Sequence, residues 1–429
     1  MSESSTSRRS WTAAVTIGLA AAFLFCGYEC VRSTSNTLFK AAYGKQNLPV
    51  VMALMPLGLV AALYGYGRLL SWVGPRKTLL ATTLFSALSL GVCYGAIHAG
   101  WKPATGILYI LREVYVVLVL EQYWSFLNST LGLEAAKKLN GPICGIGSAG
   151  SFLGGLAVGA WSKPLGSETM LFFGAAALLP AAFIANLAYA RCGEPARAAE
   201  EDRPTRGHLG LGLFRAHPKL VLLFLVILAT QVVSTALDLS FQNILQDEIP
   251  DVDEQNAISG YFYAGLSAAA ALGQLALTPL LLRFASFDIL HLGMPLIHLA
   301  VCFMLIQDPN LITAGGAYLI FKVLDYSVFR AAKEILYIPF SFDVRYRAKE
   351  IIDVFGYRFG KGGLSLAITL FQQAGGVISA ATYGLLAAGG AAVWLALIVP
   401  LAGPAYAAQA RPRKEPDQTD GALTTDKHG

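Results

Sequence analysis

The residues best suited to do chemistry in this sequence are charged side chains inside or at the entrances of long apolar segments. A charge at the centre of a membrane-spanning helix costs roughly 2.5–3.5 kcal/mol on insertion scales, so such residues almost always face a bundle interior or a water-filled cavity. The set consists of Glu29, Arg32, Arg112, Glu113, Glu121, Asp238, Lys322, Asp325, Asp353, Arg358 and Lys361. Charged groups in a wet cavity can bind a charged solute, and the set therefore predicts a binding site between helices.

The stretch 353–363, DVFGYRFGKGG, carries Asp353, Arg358 and Lys361. A phosphate-binding P-loop requires four residues between its glycines and a Ser or Thr after its lysine. Here three residues separate the two glycines, and another glycine follows the lysine, so the stretch is not a P-loop. Arg358 and Lys361 share a helix face and repel each other, which means that an anion should lie near them. That anion is either a carboxylate from another helix or a bound substrate.

Four of the other charges can form salt bridges on their own helices. Glu29 and Arg32 are three residues apart, and so are Lys322 and Asp325. Residues at this spacing are neighbours on a helix surface, so each pair can offset its own burial. For these two pairs a structural and a functional role both remain open.

The remaining charges point to longer-range interactions. Arg112 and Glu113 are adjacent, point in different directions and should reach neighbouring helices. Glu121 and Asp238 have no nearby partner of opposite charge in sequence, and a functional role is favoured for both. Aromatic residues accompany these charges and either pack between helices or stack on a planar ligand: Tyr28, Tyr115, Tyr123, Trp124, Phe126, Phe241, Tyr326 and Phe329.

The composition indicates which elements must position these residues. Of the 429 residues, 55% are hydrophobic and only 14% are charged, whereas a soluble protein averages about 25% charged residues. A spanning helix needs about 20 mostly apolar residues. Such windows lie near 12–31, 48–68, 78–98, 105–127, 140–161, 168–190, 219–242, 257–281, 287–307, 311–330, 362–383 and 388–409. The sequence therefore predicts an all-α polytopic membrane protein with twelve transmembrane helices.

The twelve windows fall into two groups of six. We predict an N-terminal six-helix bundle over 1–190, a cytoplasmic linker over 191–218, a C-terminal six-helix bundle over 219–410 and a cytoplasmic tail over 411–429. The loop 67–77 resembles the major facilitator signature, with Ser71 in place of its acidic residue. This layout predicts a major facilitator-like fold, in which two bundles enclose a central cavity.

The distribution of lysine and arginine predicts the orientation. Most of them fall on the side of the termini, and only Lys40, Lys45, Lys102 and Lys163 fall in the opposite loops. Cytoplasmic loops carry an excess of Lys and Arg, so both termini should be cytoplasmic. The first apolar segment is interpreted as an uncleaved helix. The net charge of +5 follows from this topology and gives no indication of a nucleic-acid partner.

Residues 321–363 resemble a known transporter family. They contain Lys-Glu at 333–334, Tyr-Ile-Pro at 337–339, Lys-x-x-Ile-Asp-Val at 349–354 and Arg-x-Gly-Lys-x-Gly at 358–363. In order and spacing this stretch resembles the ATP/ADP translocases, the nucleotide transporters of plastids and obligate intracellular bacteria. The resemblance implies a carrier for nucleotides in a bacterial inner (plasma) membrane.

The resemblance also implies roles for single residues. The family's fourth-span glutamate falls on Glu121, its eleventh-span lysine on Lys361, and its seventh-span glutamate on Asp238, a shorter carboxylate. Two family lysines fall on Met52 and Gln242. Since these two cations are missing, a diphosphate, a monophosphate, NAD or another organic anion is as credible a substrate as ATP.

Two functions follow from these observations. The first is an anion exchanger that works by alternating access. Its substrate-binding residues would be Arg32, Glu121, Asp238, Asp353, Arg358 and Lys361, and Glu121 and Asp238 would pair with the cations when the site is empty. The second is a proton-coupled major facilitator transporter of another solute. A scaffold without transport is disfavoured by the polar interior. The cysteines and histidines show no metal-ligand spacing, no cofactor is expected, and the protein is not expected to be an enzyme.

Overall fold

The computed structural model of the protein describes residues 3–131, 133–193, 214–215, 217–337, 340 and 352–402. Regular structure in this described part is helical throughout, with no strand. The predicted linker 191–218 and tail 411–429 lie outside the described residues, except for 191–193, 214–215 and 217–218. The side chain of Asp353 also lies outside the described part.

The first half of the chain contains helices α1 to α6. Their bounds are α1 Glu3–Tyr43, α2 48–73, α3 75–98, α4 Pro103–Thr130, α5 Leu133–Leu165 and α6 Thr169–Cys192. Helices α2 and α3 are the two arms of one segment, Leu48–His98, which is interrupted at Gly74. Gly74 has φ 80° and ψ 170°, a conformation that favours glycine because it lacks a Cβ atom.

The second half contains helices α7 to α12. Their bounds are α7 Pro218–Glu248, α8 Val252–Phe284, α9 Phe287–Gln307, α10 Leu311–Leu336, α11 Tyr357–Gln373 and α12 Ala380–Ala402. Side chains cap two of these helices. Asp251 accepts a hydrogen bond from the Glu254 backbone N–H at 2.8 Å, and Asn310 forms a capping box with Thr313.

Three turns of π-helix interrupt the second half: Gly273–Leu277 inside α8, Asp325–Phe329 inside α10 and Ile352–Gly356 before α11. Turns of this kind are rare and occur frequently at functional sites. Periodicity in the sequence did not predict them, because one extra residue per turn is too small a disturbance of a 3.6-residue pattern.

The helices agree with the predicted membrane spans. Ten helical segments of the described part are long and apolar enough to cross a membrane, and one of them, Lys45–His98, contains both α2 and α3. Helix α11 is not among the ten. Its 17 residues include Arg358 and Lys361. The protein is therefore a multi-pass membrane protein, and its helices are consistent with twelve spans.

The boundary between α11 and α12 differs from the sequence expectation. The predicted windows were 362–383 and 388–409, whereas α11 ends at Gln373 and α12 begins at Ala380. Gly375 has φ 88°, and a glycine in this left-handed region commonly ends a helix. The apolar window extended past this glycine because its flanking residues are themselves apolar.

Two separate hydrophobic cores support the two groups of helices. One is built from residues between Ala13 and Cys192, and the other from residues between Leu220 and Leu401. Between the groups, α5 packs against α8, and α11 packs against α2. A Cβ atom on Gly155 would lie 2.8 Å from the backbone oxygen of Gly260, so α5 and α8 meet backbone to backbone. The small residues of α5 are thus packing residues, as such residues commonly are in membrane helices.

Candidate functional site

A cavity of about 730 Å³ lies between the two halves and is lined by α1, α2, α4, α7, α8, α10 and α11. Its wall is rich in charge. The cationic residues are Arg32, Arg112, Lys322, Arg330, Lys333, Arg358 and Lys361, and the acidic residues are Glu113, Glu121, Asp238, Asp325 and Glu334. The cations outnumber the carboxylates, so the cavity wall favours an anionic occupant.

The two cations of α11 both face this cavity, and each is paired with a carboxylate. Arg358 Nη1 lies 3.2 Å from Glu113 Oε2 on α4, so this ion pair joins the two halves. Lys361 Nζ lies 3.5 Å from Asp238 Oδ2 on α7 and stays within the second half. Because 33% of the Arg358 side chain and 25% of the Lys361 side chain are exposed, both cations remain accessible from the cavity.

Arg32 forms the local ion pair that its spacing allowed and also reaches the other half. Its Nη1 lies 3.5 Å from Glu29 Oε1, which accepts a second hydrogen bond from Ser151 Oγ at 2.8 Å. The guanidinium stands 3.8 Å from the ring centroid of Tyr263 on α8. A cation stacked on an aromatic face is held without losing its charge, so Arg32 contributes positive potential to the cavity.

Arg112 is a structural cation that connects α4 to α1. Its Nη1 donates hydrogen bonds to the backbone oxygen of Arg32 at 2.8 Å, to Ser35 Oγ at 2.7 Å and to Asn36 Oδ1 at 2.8 Å. Its Nε lies 3.5 Å from Glu113 Oε1. The adjacent residues thus reach different helices, as predicted, and they also contact each other, which fixes Glu113 toward Arg358.

Lys322 and Asp325 do not form the local pair that the sequence allowed. The Lys322 ammonium lies 5.2 Å from the ring centroid of Tyr326 and 5.8 Å from that of Tyr318. Within the described part of the chain no carboxylate lies within salt-bridge distance of this ammonium. Lys322 therefore offers the cavity a cation that is not in direct contact with a described carboxylate.

The sequence proposed Glu121 and Asp238 as the partners of the α11 cations in an empty site, and the structure places these two carboxylates differently. Asp238 does pair with Lys361, but Glu121 is exposed at the cavity wall and makes no ion pair among the described residues. Glu113 takes the expected place of Glu121 opposite Arg358. Sequence spacing did not reveal this, because the pair joins residues from different halves of the chain.

The structure also places a cation beside one of the positions where a family lysine is missing. Lys40 Nζ donates hydrogen bonds to Gln242 Oε1 at 2.9 Å and to the Gln242 backbone oxygen at 3.1 Å. The sequence assigned Lys40 to an outer loop, but α1 continues to Tyr43 and leaves Lys40 only 1% exposed. The four-residue spacing of Arg32, Asn36 and Lys40 was the available signal. Met52 lines the cavity wall and brings no charge there.

The two halves contact each other beyond one end of the cavity. Lys163 Nζ lies 2.7 Å from Glu254 Oε1, and Lys45 pairs with Asp247. Asn256 Nδ2 donates to Thr34 Oγ1 at 3.0 Å and Ser162 Oγ at 3.1 Å. These contacts join α1, the loop 44–47 and α5 to α7 and α8 at one end of the molecule. The cavity wall extends the other way, toward Glu121 and Arg330.

The protein has two helical bundles around a central charged cavity. This architecture is the fold of membrane transporters of the major facilitator type. A mutant of the nucleoside transporter NupG matches this fold with a TM-score of 0.68 and 14% identity, covering 92% of this chain and 99% of that chain. A D-xylose–proton symporter matches with a TM-score of 0.66 and 14% identity, covering 90% and 97%. At this identity the likeness concerns the fold.

Sequence comparison finds matches to one transporter family. Residues 282–402 match the family described as TLC ATP/ADP transporter. The chain is also 26% identical over 378 residues to ADP,ATP carrier protein 1 of Chlamydia muridarum (strain MoPn / Nigg), an alignment that covers 78% of this chain and 69% of the carrier. Both findings confirm the resemblance to the ATP/ADP translocases that was inferred from residues 321–363.

Proposed function

We propose that the protein is a carrier that exchanges nucleotides or related organic anions across a membrane by alternating access. The observation that carries this proposal is the pair of α11 cations, Arg358 and Lys361, which face the central cavity opposite carboxylates from two different helices. The TLC family match and the Chlamydia muridarum carrier, whose name specifies ADP and ATP, support the nucleotide assignment.

The ion pairs give the cavity a way to hold an anion. An arginine presents a planar fork that matches two phosphate oxygens, and a lysine presents a compact point charge. An incoming phosphate competes with Glu113 for Arg358 and with Asp238 for Lys361. Lys322, which forms no ion pair with a described carboxylate, adds a further cation to the same wall.

Exchange follows from the ion pair between the halves. Alternating access requires the two bundles to rock against each other, and this motion separates Arg358 on α11 from Glu113 on α4. Without a substrate the separation leaves a partly buried cation and carboxylate unpaired, which is unfavourable. With an anion bound, Arg358 keeps a counter-charge during the motion, so the loaded carrier reorients more readily than the empty one.

The orientation in the membrane is part of the same proposal. The contacts between the halves, such as Lys163–Glu254, lie on the side that the lysine and arginine distribution assigns to the outside. We therefore propose that both termini lie in the cytoplasm and that the cavity opens toward the cytoplasm. The membrane is proposed to be a bacterial inner membrane. The protein then moves its substrate without covalent chemistry, as a carrier and not an enzyme.

Transport by purified protein in proteoliposomes tests the proposal. Lys361→Ala should lower the uptake of labelled ADP by about tenfold to a hundredfold, because a hydrogen bond between charged groups is worth about 1.5–3 kcal/mol. Lys102→Ala, which removes an exposed lysine remote from the cavity wall, is the matched control and should transport as the wild type does. Equal uptake by Lys361→Ala and Lys102→Ala would remove the basis for the proposal.

The second function, proton-coupled transport of another solute, gains no support from the family match. The same vesicles distinguish proton-coupled transport from exchange. Uptake that follows an imposed pH gradient into an empty lumen would support proton coupling, whereas exchange requires a substrate inside.

A further inference from the structure

A second chamber of about 440 Å³ opens beside the central cavity and is lined by α1, α4, α5, α8, α10 and α11. The two spaces adjoin, since Arg32, Glu113, Trp124 and Arg358 line both of them. Each falls in the range of about 300–1,000 Å³ that is typical of small-molecule sites. A molecule bound at Arg358 can therefore extend into the second chamber.

The walls of this chamber differ in chemistry from the central cavity. Aromatic and aliphatic side chains dominate them, among them Phe25, Tyr28, Tyr123 and Trp124. Every charged residue of the chamber also lines the central cavity, except for Glu29. Arg32 and Ser151 both contact Oε1 of Glu29, and Oε2 has no hydrogen-bond partner among the described residues. The aromatic and aliphatic part of this wall suits the uncharged, planar part of a ligand. Arg32, Arg330 and Arg358 line both spaces, so the phosphates of the same ligand belong where the chamber meets the central cavity.

Two of the π-turns form one wall of the chamber. The turn Gly273–Leu277 of α8 packs against the turn Asp325–Phe329 of α10, and a Cβ atom on Gly273 would lie 3.0 Å from Ser327 Oγ. Gln274 belongs to the first turn and Tyr326 to the second, and both line the chamber. The irregular helices thus place an amide and an aromatic ring on the same wall.

Several polar groups of the chamber have no hydrogen-bond partner among the described residues, and the buried Tyr123 hydroxyl is one of them. The Gln274 side chain is exposed to the chamber and makes no hydrogen bond among the described residues. Ser148 Oγ on α5 is also without a partner in the described part of the chain. A glutamine amide supplies a donor and an acceptor side by side, and this arrangement can pair with adenine at its 6-amino group and the adjacent ring nitrogen.

We propose that the second chamber is a subsite for a purine base, adenine, read by the Gln274 amide and stacked on the aromatic wall at Tyr28, Trp124 and Tyr326. The proposal rests on the proposed function, in that Arg358 and Lys361 hold the phosphates of the same molecule. Base stacking on aromatic side chains supplies affinity for any base, and the amide pair supplies the preference for adenine.

Binding to purified protein in detergent tests the subsite with three probes: ADP, purine riboside 5′-diphosphate, which lacks the 6-amino group, and inorganic pyrophosphate. In the wild type ADP should bind about tenfold more tightly than the purine riboside diphosphate. Gln274→Leu should abolish this preference and leave pyrophosphate binding unchanged. Gln373→Leu alters a glutamine that lines neither space, and it should keep the preference.

A second variant tests the aromatic wall. It keeps the proposal testable if the Gln274→Leu variant does not fold. Trp124→Leu should weaken both nucleotides by about tenfold relative to pyrophosphate, since it removes stacking without touching the amide. If the wild type prefers ADP and neither Gln274→Leu nor Trp124→Leu changes its affinities, the subsite is wrong and the proposed function stands. If the wild type binds neither ADP nor pyrophosphate, the proposed function itself fails.

Discussion

At the scale of single residues, the cavity is organised by ion pairs whose partners come from distant parts of the chain. Arg358 contacts Glu113, and Lys361 contacts Asp238. The sequence predicted that anions should lie near these two cations, because residues of like charge on one helix face repel. It did not predict which carboxylates, since helix contacts across the two halves leave no periodic signal in one sequence.

Glu113 is the residue whose role the structure changes most. Glu113→Gln should let the empty carrier reorient more easily, because Arg358 then loses no counter-charge when the halves separate. We expect the leak of preloaded labelled ADP into substrate-free buffer to rise by about two- to fivefold, in line with the worth of a partly exposed ion pair.

Glu168→Gln is the matched control for this change, since Glu168 lies outside the cavity wall and contacts His98 of its own half of the chain. It should leave the leak near the wild-type rate. A leak that rises equally in both variants would show that the Arg358–Glu113 pair does not restrain the empty carrier.

At the scale of elements, the apolar windows predicted where nearly every helix lies. The residues at which the helices end depend on features that hydropathy does not report. Gly375 ends α11 within a predicted window, and the π-turns at 273–277 and 325–329 add a residue to a turn without changing composition. The glycines of α5 recur at four-residue spacing, as Gly150 and Gly154 and as Gly155 and Gly159, a pattern typical of close packing between membrane helices. The structure places the first pair against α1 and the second against α8.

The contact of α5 with α8 leads to a prediction about Gly260. A Cβ atom there would lie 2.6 Å from the Gly159 backbone nitrogen and 2.8 Å from the Gly155 backbone oxygen, and backbone atoms cannot move aside as flexible side chains can. Gly260→Ala should therefore force the two helices apart at a cost of about 1–3 kcal/mol and lower the temperature of thermal unfolding.

Gly265→Ala is the control on the same helix, because a Cβ atom on Gly265 would meet nothing within 4 Å. It should unfold at the wild-type temperature or slightly above, since alanine is the better helix former. Thermal unfolding of both variants in detergent decides the point, and an undisturbed Gly260→Ala would contradict the close approach of α5 and α8.

At the scale of the whole molecule, composition and the number of apolar windows were enough to predict two helical bundles around a cavity. The sequence did not show how the halves meet at the end that carries the loop 44–47, where Lys40 binds Gln242 and Asn256 binds Thr34. These contacts depend on the relative position of the bundles, which a single sequence does not encode in any local pattern. They join the two halves at this end, and the cavity wall extends toward the other end.

The central claim is that an anion must occupy the cavity before the two halves reorient. Uptake of labelled ADP into proteoliposomes loaded with unlabelled ADP, compared with uptake into empty proteoliposomes, tests it most directly. We predict uptake at least about tenfold faster into the loaded vesicles, which corresponds to a barrier difference of about 1.4 kcal/mol between the loaded and the empty carrier. Equal rates into loaded and empty vesicles would contradict the account.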